Sequence, residues 1–139
     1  MSNVSPLMPL MKVAALLFTY FCLLASAVGQ ERLVEGGLYS TMNKNGSYSV
    51  LKILRLDQQG VHVRMYSNQF AEHPSKLDES TLYIAGINRK PNESLGMGHA
   101  PISRRSFASW GVRFIKIVPV KQDELEGYEM WKKASGGYF

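Results

Sequence analysis

Leu38-Tyr39-Ser40-Thr41-Met42-Asn43-Lys44-Asn45-Gly46-Ser47-Tyr48-Ser49-Val50-Leu51-Lys52-Ile53-Leu54-Arg55-Leu56 decides the fold. Two runs with strand character flank an Asn-Gly step. Both turn residues tolerate positive φ, so the pair predicts a β-hairpin with strands at 38–43 and 48–56. Asp57-Gln58-Gln59-Gly60 is a second turn, and Val61-His62-Val63-Arg64-Met65-Tyr66 is the clearest strand in the chain. Its Val, Val and Met share one side. His62, Arg64 and Tyr66 share the other, which is expected to face solvent or a partner. Three strands joined by tight turns make a meander.

Beyond Tyr66 the polar stretch 68–79 holds Pro74 and reads as a loop. A fourth strand is expected over Ser80–Ile87, then a long loop over Asn88–Ala100. Pro101–Trp110 reads as a helix with Ser103 as N-cap, Ile102, Phe107 and Trp110 as its apolar side, and Gly111 as its stop. Val112–Val118 is the fifth strand. A last helix follows, capped by Asp123, with Glu124 and Glu126 near its start, Lys132 and Lys133 near its end, and Gly136-Gly137 closing it. That charge order suits the helix dipole. Leu125, Tyr128 and Trp131 recur at helical intervals and are expected to pack on the sheet. The order predicts an α+β domain: a small, strongly bent antiparallel sheet or partly open barrel of about five strands, with two helices in the C-terminal half.

The segment from Gly46-Ser47-Tyr48-Ser49-Val50-Leu51-Lys52-Ile53-Leu54 to Val61-His62-Val63-Arg64 resembles the opening hairpin of SH3-like barrel domains. More narrowly, it is similar to a family of small bacterial proteins with a Gly-x-Tyr-x-Val-x-Lys-Val-Leu hairpin and a C-terminal Glu-Leu-Glu-Gly-Tyr-x-x-Trp helix. Here those last residues are Glu124-Leu125-Glu126-Gly127-Tyr128 and Trp131, while Leu51-Lys52-Ile53-Leu54 matches the hairpin approximately. The resemblance implies an SH3-like core and carries no activity.

The chain has 139 residues. Lys12 precedes Val13–Val28, an uncharged apolar run ending in small residues, which is the pattern of a secretory signal peptide. Cleavage sites fit after Ala27 and after Gly29; the second leaves a polar start at Gln30. Residues 1–29 are thus read as a leader, 30–37 as a tether and 38–139 as one domain, exported to the periplasm or exterior. The stretch before Lys12 has no charged side chain, so Met8 or Met11 are alternative starts to Met1. The rival reading is an uncleaved anchor, although the run falls short of the roughly 18–20 residues that span a bilayer. Cys22 follows Thr19-Tyr20-Phe21 rather than small residues, which argues against lipidation. It is the sole cysteine, and its loss with the leader leaves no disulfide, thiol nucleophile or thiolate ligand.

The net charge is +5, and the cations are scattered rather than clustered, so nucleic acid is not an expected partner. His62, His73 and His99 lie in separate elements without zinc-ligand spacing, and neither a metal nor a cofactor is expected. No Gly-x-Ser-x-Gly elbow, Walker loop or dinucleotide fingerprint occurs. Two surfaces remain. The strand face His62, Arg64, Tyr66 carries residue types favoured at partner interfaces. The loop Gly96-Met97-Gly98-His99-Ala100-Pro101 precedes an expected helix start, where amide groups with Arg104 and Arg105 could hold an anion. Asn45-Gly46-Ser47 and Asn92-Glu93-Ser94 fit the glycosylation sequon, which matters only in a eukaryotic secretory host.

The leading expectation is a noncatalytic binding or accessory module whose partner is a protein or envelope component. The alternatives are a small hydrolase or hydrolase inhibitor using the His99 loop, and a domain tethered by the Val13–Val28 segment, the one reading in which a membrane is a partner. The intact mass of protein recovered from its native cell should correspond to a chain starting near Gln30. A mass that retains residues 13–28 overturns export by a cleaved leader.

Overall fold

The computed structural model describes residues 31–139. Runs buried on both faces build its first three strands, β1 (Gly37–Met42), β2 (Tyr48–Leu56) and β3 (Gly60–Phe70). The Asn-Gly turn closes the first hairpin: Asn43 N–H donates to Ser47 O at 2.7 Å, and Gly46 takes φ +83°. In the second turn Asp57 Oδ1 accepts the amides of Gln59 and Gly60, both at 2.8 Å. There follow β4 (Met97–Ser103), α1 (Arg104–Ala108), β5 (Arg113–Ile117) and α2 (Glu126–Lys133). Short 3-10 turns occupy Glu79–Thr81 and Gln122–Leu125. The strands form one open antiparallel sheet in the order β4-β3-β2-β1-β5, so the class is α+β.

The fourth strand is not Ser80–Ile87. The β2–β3 register passes from Ser49↔Gln69 to Leu51↔Met65, so β3 bulges between those pairs. Ser67, at the bulge, binds the 83–85 segment through isolated bonds: its N–H donates to Tyr83 O at 2.9 Å and its Oγ accepts Ala85 N–H at 2.7 Å. The place beside β3 goes instead to β4, which the sequence reading had divided between a loop and a helix. Pro101 fits there because an extended residue points its N and O to the same side. Its carbonyl faces outward, accepting Phe139 N–H at 3.0 Å, so no bond to β3 is lost. α1 is therefore shorter than expected, although Ser103 caps it, accepting Ser106 N–H at 3.2 Å. The last helix begins at Glu126, not beside Asp123, and ends through Ser135, at φ 49°, rather than through its glycines.

Both faces of the sheet are covered. On the first, Tyr39, Leu51, Ile53, Val61, Val63, Ala100 and Ile102 pack under Phe107 of α1, with Trp110 and Leu33 alongside. On the second, Leu38 and Val50 pack with Leu77, Leu82 and Val118. Residues 31–36, read as a tether, lie against this sheet. Tyr39 Oη accepts Val34 N–H and donates to Arg32 O, and Gly36 bridges Ile53 O and Val118 N–H. Ile53 is fully buried at the centre of the first face. Ile53→Ala should therefore lower unfolding stability by about 2–5 kcal/mol, read as a shifted urea midpoint at constant slope.

Candidate binding site

Strand alternation puts His62, Arg64 and Tyr66 on the second face. β4 adds His99 beside His62, since His62 pairs with Pro101 and Val63 with Ala100. Two of the surfaces singled out in the sequence therefore meet. They are not a solvated strand face, because α2 and the C-terminal tail lie over the His62 end.

His62 is 0% exposed. Its Nε2 lies 3.1 Å from both Asp57 Oδ2 and Tyr138 Oη, and its Nδ1 lies 3.0 Å from His99 Nε2. Tyr138 Oη also donates to Asp57 Oδ2. Tyr128 and Trp131 of α2 pack edge-on against the imidazole, with centroids at 4.8 and 4.4 Å. The helix approaches this closely because Gly127 faces β4: a Cβ there would stand 2.5 Å from His99 Cβ. An ionised carboxylate only accepts, so His62 Nε2 carries a hydrogen. The gap between the two imidazoles then holds one hydrogen, and a second would break the bond. Burial and the neighbouring His62 lower the pKa of His99 to about 4. Burial acts to raise Asp57, but hydrogen bonds from Tyr138, His62 and two backbone amides outweigh it and hold the carboxyl at about 2. His99 thus meets another imidazole rather than a carboxylate or hydroxyl. A separate contact, Ser40 Oγ to His73 Nδ1 at 2.7 Å, has its hydroxyl fully buried behind the histidine.

Beside the segment that leads into α2 the same face opens into a pocket of about 190 Å³, lined by Lys52, Arg64, Tyr66, Lys121, Glu124 and Glu79 among others. Lys52, only 3% exposed, donates to Glu124 Oε2 at 2.7 Å and to Pro119 O at 3.0 Å. Glu124 Oε2 also accepts Lys121 N–H at 2.8 Å. Glu79 is paired with Lys116. Arg64 is the exception. Its Nε is buried without a hydrogen-bond partner among the described residues, and Glu124 Oε1 stands 3.9 Å away, too far to accept. Burial and the charge of Glu124 push the Tyr66 hydroxyl up to about 12, so it remains a neutral donor. The pocket therefore offers a guanidinium edge, a phenol and a rim lysine to an anionic group.

Comparison of the chain with protein-family models, curated proteins and solved structures found no match.

The remaining sequence candidates lie apart from the pocket. Gly98 and His99 are strand residues of β4 rather than a helix-entry loop, and Gly96 is buried against Ser67 and Ile84. Arg104 donates twice to Asp57 O, at 2.9 and 2.6 Å, bracing the β2–β3 turn, while Arg105 is exposed on α1. Gly96, Gly98, Arg104 and Arg105 thus form no common anion cradle. Among the described residues no three His, Cys, Asp or Glu side chains gather as a metal cluster, and no helix is long and apolar enough to cross a membrane. Val13–Val28 lies outside the described residues. Sequence reading missed Lys52, Glu124 and Lys121 as pocket residues and Asp57 and Tyr138 as partners of His62. The single visible signal was Lys52, a charged residue inside an apolar run.

An unfolded histidine titrates near 6.5. His99 does so at about 4 in the fold, so between those values the unfolded chain binds the extra proton. Stability should fall as pH drops from about 6.5 to about 4, with His73, also lowered by burial, acting in the same direction. Asp57 takes over below its ordinary 3.8, with further loss toward its folded value of about 2. In His99→Gln, urea midpoints across pH 4–6.5 should vary less than in the parent; an undiminished slope excludes His99 as its source.

Proposed function

We propose that this chain is an exported, noncatalytic binding module of the cell envelope or exterior, built on an SH3-like core. It captures its partner, a protein or envelope component, through an anionic group that enters the Arg64 pocket. The observation that carries this reading is the unmet Nε–H of Arg64 beside a concave opening. A buried donor left unpaired costs about 1–3 kcal/mol, and a carboxylate or phosphate oxygen would recover that loss once the Arg64 side chain, itself about a quarter exposed, turns its Nε–H toward the opening. The charges agree. Three cations and two carboxylates line the pocket, and Glu79 is already committed to Lys116. Lys52 and Glu124 neutralise one another, leaving Arg64 and Lys121 in surplus. The SH3-like reading draws support from the strand order, in which the last strand returns to pair with the first. The scattered cations elsewhere favour recognition of a single anionic group over a polyanion.

The test is titration of the protein with inorganic phosphate and with acetate, following the Arg64 Nε–H resonance by NMR. Saturable movement in the millimolar range is expected. Lys121→Ala at the exposed rim should weaken it several-fold, and Arg64→Ala and Tyr66→Ala should each weaken capture of the native partner about tenfold or more while the domain stays folded. An immobile Arg64 resonance with both anions overturns the reading.

A further inference from the structure

We propose a second ligand site, for an uncharged carbohydrate, in a groove on the first face of the sheet. Two adjoining hollows of about 300 and 330 Å³ share Thr41, Asn43, Ser49 and Met65. One extends to Tyr66 and Gln69, the other to Trp110. Each falls within the size range of small-molecule sites. In a chain of net charge +5, neither is lined by a single Lys, Arg, Asp or Glu.

The polar lining is fixed before any ligand arrives. Asn43 Nδ2 donates to Ser49 Oγ at 2.9 Å and to Gln69 Oε1 at 2.8 Å, while Gln69 Nε2 donates to Ser49 Oγ at 2.9 Å. Each side chain thus holds the rotamer of the next, which reduces the ordering cost of binding. At the other end Thr41 Oγ1 donates to Trp110 O at 2.7 Å, and the indole packs on Phe107 with centroids 5.3 Å apart. Trp110 is half-buried and lines the second hollow.

These features discriminate among ligand classes. A charged ligand would find no counter-charge and would be desolvated at a cost. A purely apolar one would strip water from the hydrogens and lone pairs that Asn43, Ser49 and Gln69 do not spend on one another. An extended peptide is ordinarily held by main-chain bonds to an open strand edge, whereas Ser49 of β2, on the groove floor, is paired on both sides, to Thr41 of β1 and Gln69 of β3. A sugar fits the remaining requirement. Its hydroxyl groups both donate and accept, as a carboxamide does, and its C–H face can lie on an indole. The groove meets the Arg64 pocket at Tyr66, which lines both, and shares no charged residue with it; Trp110, Asn43 and Gln69 belong to the groove and Arg64 to the pocket, so either proposal can fail alone.

The experiment follows the Trp110 indole and the Asn43 and Gln69 side-chain amides by NMR. Chitotetraose, cellotetraose and an N-acetylated, C-amidated tetra-alanine peptide are titrated separately into the full domain. A saturable shift of all three residues with either sugar, with the Arg64 resonance unmoved, is the expected result. Gln69→Ala, an exposed position, should weaken that binding about tenfold without lowering the unfolding midpoint, and Trp110→Phe should weaken it too. No shift with either sugar overturns the proposal, and so does a peptide response equal to or larger than the sugar response.

Discussion

The imidazole of His62 is the contact on which the C-terminal half of this domain depends. It joins the β2–β3 turn through Asp57, β4 through His99, α2 through Tyr128 and Trp131, and the tail through Tyr138. Both ring nitrogens are bonded, which is the condition for burying a polar group at tolerable cost. Two glycines make room for the arrangement. Gly60 lies where any side chain would collide with the Tyr138 ring, and Gly127 lets α2 settle on His99. The tail then completes the edge of β4, since Phe139 N–H and O bond to Pro101 and Ser103.

That anchoring determines where the sheet stays open. α2 covers the second face over His62 and His99. The chain leading to it, through Lys121 and Glu124, only borders Arg64, and this leaves a cationic pocket with an unmet donor. On the first face α1 is brief. Its Phe107 covers the apolar centre, and the cover ends at Trp110, exposing amides and hydroxyls of β1, β2 and β3. The two openings therefore differ in chemistry because different parts of a two-faced sheet are left uncovered. One opening sits among charges embedded in the face, the other on the neutral polar end of the strands.

Local signals were legible where local physics decides. The Asn45-Gly46 turn, the alternation of Val61, Val63 and Met65, the Ser103 cap and the Leu125-Tyr128-Trp131 stripe all appear in the fold. β4 was illegible because Gly98 and Pro101 disfavour strands in general, and Pro101 is tolerated only because its nitrogen faces the outer edge. Ser80–Ile87 has strand composition, yet the β3 bulge gives it single bonds rather than a ladder. His62 looked solvent-facing because alternation assigns a side to a residue without saying what lies over that side.

The sequence by itself determined the α+β class, the three-stranded meander, the position of the final helix and which residues share the His62–Arg64–Tyr66 face. These follow from periods of two and of 3.6 residues and from turn chemistry, which act over a few positions. Only the tertiary structure decided that β4 and β5 flank the meander, that His62 is sealed by a tail 76 residues away, and that Arg64 Nε finds no acceptor among the described residues. Those outcomes depend on which distant segments reach the same face of the sheet and where their cover stops, and no local pattern of residues carries that information.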